Sequence, residues 1–174
     1  GLPWMLRCQR SPDGRRLAFN TYSDGSAAED GLLRWFNIND PTKIYSLLPE
    51  MNVAAFAFSP NSLRLAAAGS ARDGQADGLY VVEIATGEAN FILEAHEAYS
   101  LVWSADGEFI ALIGRLPGET APAMLVVHVR THRLAFRGAP GQVSGAPPPT
   151  SSVSSWGVEF PVQMGGMDEC AAPP

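Results

Sequence analysis

The chain has 174 residues, of which 46% are apolar and 17% charged, and it contains 17 glycines and 14 prolines. This length suits one domain with a sizeable core, and the glycine and proline content predicts short elements joined by turns. The formal net charge of −6 argues against a nucleic-acid or anionic-membrane partner, because both need clustered lysines and arginines. No apolar run approaches the roughly 18 residues of a membrane helix, so we expect no transmembrane segment.

The first of three related segments covers about residues 6–48 and centres on the unit Ser11-Pro12-Asp13-Gly14-Arg15-Arg16-Leu17-Ala18-Phe19. Asp13-Gly14 is a two-residue hairpin signal, since glycine accepts a positive φ and aspartate tolerates it. Ser11 precedes this turn, where its hydroxyl can bond the backbone. Short apolar runs predict four strands, at 6–10, 17–19, 33–38 and 44–47. Asn39-Asp40-Pro41 is the predicted turn between the last two.

The second segment covers about residues 53–94 and begins its unit at Ser59, 48 residues after Ser11. Asn61 and Ser62 stand where the first unit has Asp-Gly, and we expect the hairpin to tolerate this change. The four predicted strands lie at 53–58, 65–68, 79–84 and 90–93.

The third segment covers about residues 98–137 and begins its unit at Ser104, 45 residues after Ser59. Asp106 and Gly107 again form the turn pair. The predicted strands lie at 99–103, 110–113, 124–129 and 134–136. Helical periodicity is not sustained anywhere, so the sequence predicts an all-β chain.

Residues 138–174 form a separate tail that begins with a linker or wrapping loop rich in Gly, Pro, Ala, Ser and Thr. Residues 155–161 have the alternation of large side chains expected of one strand, either the inner strand of an unfinished fourth blade or a strand donated to another sheet. Trp156 and Phe160 in that segment are candidate contacts for a partner.

The repeated Ser-Pro-Asp-Gly-x-x-Leu-Ala-Phe unit resembles the WD-like β-propeller repeat of TolB-type proteins, which also occurs in the propellers of prolyl-oligopeptidase-type enzymes. The resemblance covers about residues 6–137. It implies an arc of about three four-stranded antiparallel blades with an extended C-terminal tail. It also implies that the turn residues are scaffold, and that the protein is periplasmic, secreted or on the bacterial cell surface.

The number of blades is the informative departure from this pattern, since propellers close with about four to eight. Uncovered blades expose sheet faces and edges that invite association. Three explanations remain open: a piece of a longer protein, two copies that form a six-bladed ring, or an arc that completes a partner's surface. The absence of an initiator Met at Gly1 favours the first.

Candidate catalytic and metal-binding patterns are weak. The sequence has no Gly-x-Ser-x-Gly elbow and no phosphate-binding loop. His128 and His132 are four residues apart, but on a predicted strand and turn their rings do not come together, and His96 lies in a connection. The acidic loop residues follow no ordered calcium-binding pattern. We therefore predict no catalytic residue, metal or cofactor.

The two cysteines, Cys8 and Cys170, lie near opposite ends of the chain. They are either free buried thiols or, in an extracytoplasmic protein, a disulfide that ties the tail to the first blade. The sequence fixes no distance between them.

These observations predict a non-catalytic scaffold or binding module that acts through protein–protein contacts. Its partner is a protein or a second copy that covers the open blades. The alternative is the propeller portion of a serine peptidase or other hydrolase whose catalytic residues lie outside these residues. A weaker alternative is a propeller that binds a small sugar or peptide ligand in its central channel.

Overall fold

The computed structural model describes residues 4–22, 31–72 and 76–138, and within them the chain forms twelve β-strands. In chain order the strands are β1 (Trp4–Arg10), β2 (Arg16–Tyr22), β3 (Leu32–Asn37), β4 (Asp40–Leu47), β5 (Met51–Phe58), β6 (Arg64–Ala71), β7 (Gly78–Glu83), β8 (Ala89–Glu94), β9 (His96–Trp103), β10 (Phe109–Arg115), β11 (Ala123–His128) and β12 (Arg133–Gly138).

The strands form three separate four-stranded sheets, each built from consecutive antiparallel strands. We call β1–β4 blade 1, β5–β8 blade 2 and β9–β12 blade 3. Short runs of β-branched, aromatic and small residues bounded by turn residues produce this meander, because neighbours in sequence pair at little entropic cost. The predicted all-β arc of three four-stranded blades is confirmed.

One predicted turn is wrong. Pro41 lies inside β4 and not in a turn, and the reversal is made by Ile38 and Asn39, so that Asn37 pairs with Asp40. β4 is the last strand of its sheet. An edge strand tolerates proline because its outward N–H needs no ladder partner.

Two hydrophobic cores lie between the blades. Leu33, Met51 and Leu65 are among the residues buried between blades 1 and 2, and Leu79, Ile110 and Leu125 are among those buried between blades 2 and 3. Both faces of blade 2 are therefore covered, and the centre of β6 is an unbroken buried run from Leu65 to Gly69. The small alanines in this run let the neighbouring sheets approach closely.

The first strands of the blades lie side by side along the inner edge of the arc. β5 contacts both β1 and β9, and Nη1 of Arg7 in β1 donates a hydrogen bond to the carbonyl of Tyr99 in β9 (3.1 Å). We call the end of the blades that holds the turns after β1, β5 and β9 the turn end. The opposite end, which holds the loop between β6 and β7 and the connections between blades, is the loop end.

The linker after Gly138, the predicted strand at 155–161, Trp156, Phe160 and Cys170 lie outside the described residues. No helix in the described part of the chain is long and apolar enough to span a bilayer.

Candidate functional site

The three serine-initiated turns share one set of hydrogen bonds at the turn end. In blade 1 the buried Ser11 hydroxyl donates to Asp13 Oδ1 (2.6 Å) and accepts the Arg16 N–H (2.9 Å). Ser11 N–H also donates to the Arg16 carbonyl, so the loop is longer than the two residues that Asp-Gly predicts. Gly14 has a φ of 71°, the left-handed conformation that glycine adopts without strain.

Blade 3 repeats this arrangement, and blade 2 repeats it with different residues. The Ser104 hydroxyl donates to Asp106 (2.5 Å), and the Ser59 hydroxyl donates to Asn61 Oδ1 (2.7 Å). Ser62 takes the place of the glycine, and Gly107 and Ser62 both have positive φ values, of 72° and 61°. An amide oxygen thus substitutes for a carboxylate in the same geometry.

Ser62, which stands where the other two turns have glycine, makes a contact between blades 1 and 2. Its buried hydroxyl accepts the N–H of Asp13 (3.0 Å), and its carbonyl accepts Nη1 of Arg16 (3.0 Å). A glycine at this position could accept only through its carbonyl. The hydroxyl therefore links the turn of blade 2 to the turn of blade 1.

Hydrogen bonds within the turns lower the pKa values of Asp13 and Asp106. The Ser11 hydroxyl and the Arg15 N–H bond the charged form of Asp13 and hold its pKa below the usual value. The Ser104 hydroxyl and the Glu108 N–H do the same for the pKa of Asp106. These bonds close the hairpins. The lowered pKa values therefore have a structural cause and are not evidence that Asp13 or Asp106 binds a ligand.

A cleft of about 410 Å³ opens at the loop end between blades 2 and 3. Its polar side chains come from separate elements: Asn52 from β5, Ser70 from β6, Asp77 from the β6–β7 loop, His96 and Glu97 from β9, and Arg115 from β10. The sequence does not reveal this group, because its members come from separate strands and loops and follow no motif.

Hydrogen bonds and ion pairs fix several of these side chains. Asp77 accepts the Ala71 N–H through Oδ1 (2.8 Å), and its Oδ2 lies 3.0 Å from His96 Nδ1. Both interactions stabilise the carboxylate and lower the pKa of Asp77, the backbone bond more than the histidine. Nη2 of Arg115 pairs with Glu97 Oε1 (2.9 Å), and Nη1 donates to the Glu119 carbonyl (3.0 Å).

The outer edge of the arc exposes apolar side chains. Ile44 and Tyr45 on β4 are 56% and 46% exposed, and Phe91 on β8 is 40% exposed. Leu134 and Phe136 on β12 are exposed to a similar degree. Each blade therefore presents large apolar side chains on its fourth strand, a surface that we call the rim.

The other predicted or considered residues do not converge on a site. His128 packs its ring against Phe109 and accepts the N–H groups of Arg130 and Thr131, while His132 lies exposed in the following turn. No group of three His, Cys, Asp or Glu side chains within the described ranges could hold a metal ion. Cys8 lies on β1, and its pairing with Cys170 stays a prediction.

Comparison with known proteins identifies the architecture. The chain is 34% identical over 106 residues to the small ribosomal subunit protein RACK1 of Schizosaccharomyces pombe, a match that covers 56% of this chain and 31% of RACK1. Among solved structures it resembles TolB from Acinetobacter baumannii, with a TM-score of 0.56, 15% identity, and coverage of 73% of this chain and 30% of TolB.

The chain also resembles the β-propeller domain of the Trilobed protease from Pyrococcus furiosus, with a TM-score of 0.61, 14% identity, and coverage of 82% of this chain and 44% of that one. No protein-family model matches the sequence. The chain thus spans about a third of the length of RACK1 and of TolB. With three meander sheets packed side by side, it has the WD-like β-propeller fold of TolB and related proteins, in the form of three blades.

Proposed function

We propose that this chain is a non-catalytic scaffold or binding module that acts through protein–protein contacts, as part of a larger chain or assembly. Its partner is a protein or a second copy that covers the open blades. The described residues form three blades, fewer than the four to eight with which propellers close, and this supports a role in combination with further polypeptide.

The observation that carries this proposal is the apolar rim. Of the large apolar side chains that are exposed in the described part of the chain, five lie on the fourth strands, and the other two, Leu63 and Tyr99, lie elsewhere. The concentration of these side chains on the fourth strands supports a contact surface along the outer edges of the blades. The fourth strands are also edge strands of their sheets in the described part of the chain, and edge strands favour association with another chain.

The comparisons support the same proposal. The curated relative is named as a component of the small ribosomal subunit, and therefore of an assembly. An extracytoplasmic location stays a prediction that rests on the TolB-type resemblance.

The likeness to the propeller domain of a protease supports a second candidate, the propeller portion of a peptidase. The full reading frame of the gene distinguishes the two candidates. A Gly-x-Ser-x-Gly segment in a hydrolase domain of the same reading frame would favour the peptidase, and its absence from the full reading frame would favour the scaffold.

Native mass spectrometry of the purified chain tests the proposal. We expect species heavier than the 18.6 kDa monomer, either dimers or complexes with a bound protein. Soluble chains that stay at 18.6 kDa at all concentrations and capture no protein would contradict it.

Rim variants show whether the rim is the surface in contact. We expect the double variant Ile44→Ser and Leu134→Ser to lower the associated fraction, because it removes exposed apolar area from two of the three fourth strands. Leu63→Ser is the matched control, since Leu63 is equally exposed (58%) but lies in a turn at the turn end. Equal loss of association in both variants would mean that the rim is not the contact.

A further inference from the structure

Blades 1 and 3 each have one side that blade 2 covers and one that it does not. Blade 2 packs on the side of blade 1 that carries Ala18 and on the side of blade 3 that carries Ile110. Side chains alternate along a strand, so Leu17 and Ala111 lie on the opposite sides of these two blades. We call the Leu17 side of blade 1 and the Ala111 side of blade 3 the terminal faces.

The terminal face of blade 3 has the composition of a contact between blades. The strand register places on it the apolar residues Val102, Ala111, Ile113, Met124, Val126 and Phe136. Ala111 stands seven residues after the turn serine of its blade, and the equivalent residues of blades 1 and 2 are Ala18 and Ala66, each buried against the following blade. The small residue that lets a following blade approach closely is thus also present in blade 3.

The terminal face of blade 1 is also apolar. Leu17 pairs with Phe36, which pairs with Ile44 in β4. In blade 2 the equivalent pair, Leu65 and Val82, is buried against blade 1. Ile44 belongs to the rim, so this terminal face extends to the rim at its outer edge.

An arginine and an aromatic residue occupy fixed positions where one blade meets the next. The Cζ atom of Arg64 in blade 2 lies 5.4 Å from the ring centroid of Trp103 in blade 3. The arginine stands five residues after the turn serine of its own blade, and the aromatic residue stands one residue before the turn serine of the next. Arg16 and Phe58 hold the same two positions between blades 1 and 2. Both contacts between blades therefore have the order arginine, then aromatic residue.

The terminal faces carry the same pair in reverse order. Phe109 stands five residues after the turn serine of blade 3, and Arg10 stands one residue before that of blade 1. Arg10 is exposed, and its Nε and Nη2 donate to the Gly14 carbonyl (3.2 and 3.1 Å), which fixes the plane of the guanidinium. A guanidinium held in this way can lie against an aromatic ring. Phe109 and Arg10 are therefore complementary, whereas a blade with an aromatic residue in place of Arg10 would offer Phe109 no cation.

A second copy of the chain supplies the matching face. Propellers close with about four to eight blades, so blade 3 does not reach blade 1 of the same three-blade arc. Two copies of three blades supply six, which lies within that range. Each copy contributes both terminal faces, so a head-to-tail contact closes into a ring after two copies.

We propose that the terminal face of blade 3 binds the terminal face of blade 1 of a second copy, so that two chains form a six-bladed ring. Phe109 of one copy contacts the guanidinium of Arg10 of the other, and Ala111 allows the two sheets to approach closely. This inference rests on the proposed function, because it names a second copy as the partner and the terminal faces as the contact.

Sedimentation velocity of the full chain at increasing concentration tests the proposal. We expect a species with twice the 18.6 kDa mass of the monomer. A chain that stays monomeric at all concentrations would overturn the proposal. Assemblies that keep growing beyond two copies would also overturn it, because a closed ring leaves no terminal face for a third copy.

Exchange of the arginine and the aromatic residue tests the contact itself. Phe109→Arg places two arginines together, and we expect it to raise the dissociation constant of the dimer at least about ten-fold. The double variant Phe109→Arg and Arg10→Trp recreates the order of Arg64 and Trp103. We expect it to return the dissociation constant to within about three-fold of that of the unmodified chain. A double variant that associates no better than Phe109→Arg would overturn the proposal.

Arg10→Ala keeps the test valid if Phe109→Arg does not fold, because Arg10 is exposed. We expect it to weaken association about five-fold, as loss of one cation–π contact does. Arg15→Ala is the matched control, since Arg15 is an exposed arginine in the turn that follows β1, and we expect a change below about two-fold. Equal weakening by both variants would show that positive charge in general, and not contact with Phe109, supports association, and it would overturn the proposal.

The outcome is separable from that of the proposed function. If the chain binds another protein but never a second copy, or if the Phe109 and Arg10 variants leave its dimer unchanged, this inference is overturned and the scaffold proposal stands. If native mass spectra show neither dimers nor complexes, the scaffold proposal fails as well.

Discussion

The turn end and the loop end of the blades are connected by the same strands, yet they are organised differently. At the turn end all three blades repeat one set of bonds around Ser11, Ser59 and Ser104. At the loop end no set of bonds among the described residues recurs in all three blades. The cleft between blades 2 and 3 combines side chains such as Asp77, His96 and Arg115 from different elements.

This difference separates the residues that build the fold from those that are particular to this protein. The turn end closes hairpins, so its residues are constrained by backbone geometry and recur in each repeat. The loop end is free of that constraint and can carry a surface that is particular to this protein. Even at the turn end the residues differ where one blade contacts the next. Ser62 replaces the glycine of the other turns and accepts the N–H of Asp13.

Glycine-to-alanine substitutions should give the largest contrast between blades at the loop end. Gly69 and Gly114 occupy equivalent places near the ends of β6 and β10. A Cβ on Gly69 would overlap the Asn52 carbonyl, whereas a Cβ on Gly114 would lie 3.4 Å from the His96 carbonyl. We expect Gly69→Ala to lower the free energy of unfolding by about 3 kcal/mol, because backbone must move to admit the methyl group.

Gly114→Ala is the matched control, and we expect it to change the free energy of unfolding by less than about 1 kcal/mol. Urea denaturation at an unchanged m-value measures both effects. Similar losses of unfolding free energy in the two variants would contradict this prediction. They would show that overlap with the Asn52 carbonyl is not what makes Gly69→Ala destabilising.

The packing between blades 2 and 3 differs from that between blades 1 and 2 in the hydrogen bonding of a tryptophan, and tryptophan substitutions test this difference. The indole N–H of Trp103 donates to the buried Ala57 carbonyl across blades 2 and 3 (3.0 Å), and Arg64 lies over its ring. The indole N–H of Trp35, which packs against the other core, is buried without a hydrogen-bond partner in the described ranges.

We expect Trp103→Phe to cost about 2 kcal/mol, since it removes the indole hydrogen bond between the blades and part of a buried ring. Trp35→Phe removes an unpaired N–H and keeps an aromatic ring against Tyr45, so its cost should be below about 1 kcal/mol. Thermal denaturation compares the two. A larger loss for Trp35→Phe would refute the view that the indole hydrogen bond joins blades 2 and 3.

The contrast between the two ends also explains what could be predicted from the sequence. Ser11 and its two counterparts reveal the repeat, because a local hairpin needs the same residue types at the same spacing every time. Proline usually marks a turn, so the sequence predicts one at Pro41. Only the sheet topology shows that β4 is an edge strand, which tolerates proline. The Asp77–His96 pair joins residues from different elements, and only the packing of two blades brings them together.

Acid sensitivity should give the smallest effect, and it separates the turns of blades 1 and 3 from that of blade 2. The pKa values of Asp13 and Asp106 are lowered by their serine hydroxyls and neighbouring N–H groups, whereas Asn61 does not titrate. A carboxyl with a lowered folded-state pKa adds stability above its unfolded pKa and loses it as the pH falls through the folded value. The contribution of these two turns should therefore fade below about pH 4.

We expect the double variant Asp13→Asn and Asp106→Asn to show a smaller fall in melting temperature between pH 7 and pH 3 than the unmodified chain. Asp40 and Asp77 also have lowered pKa values, so part of the acid sensitivity should remain. Asn61→Asp is the reciprocal test, because it gives blade 2 the carboxylate of the other two turns and should increase the fall. If neither variant alters the pH dependence, the serine–carboxylate bonds do not stabilise the turns, and Asn61 and the two aspartates are equivalent.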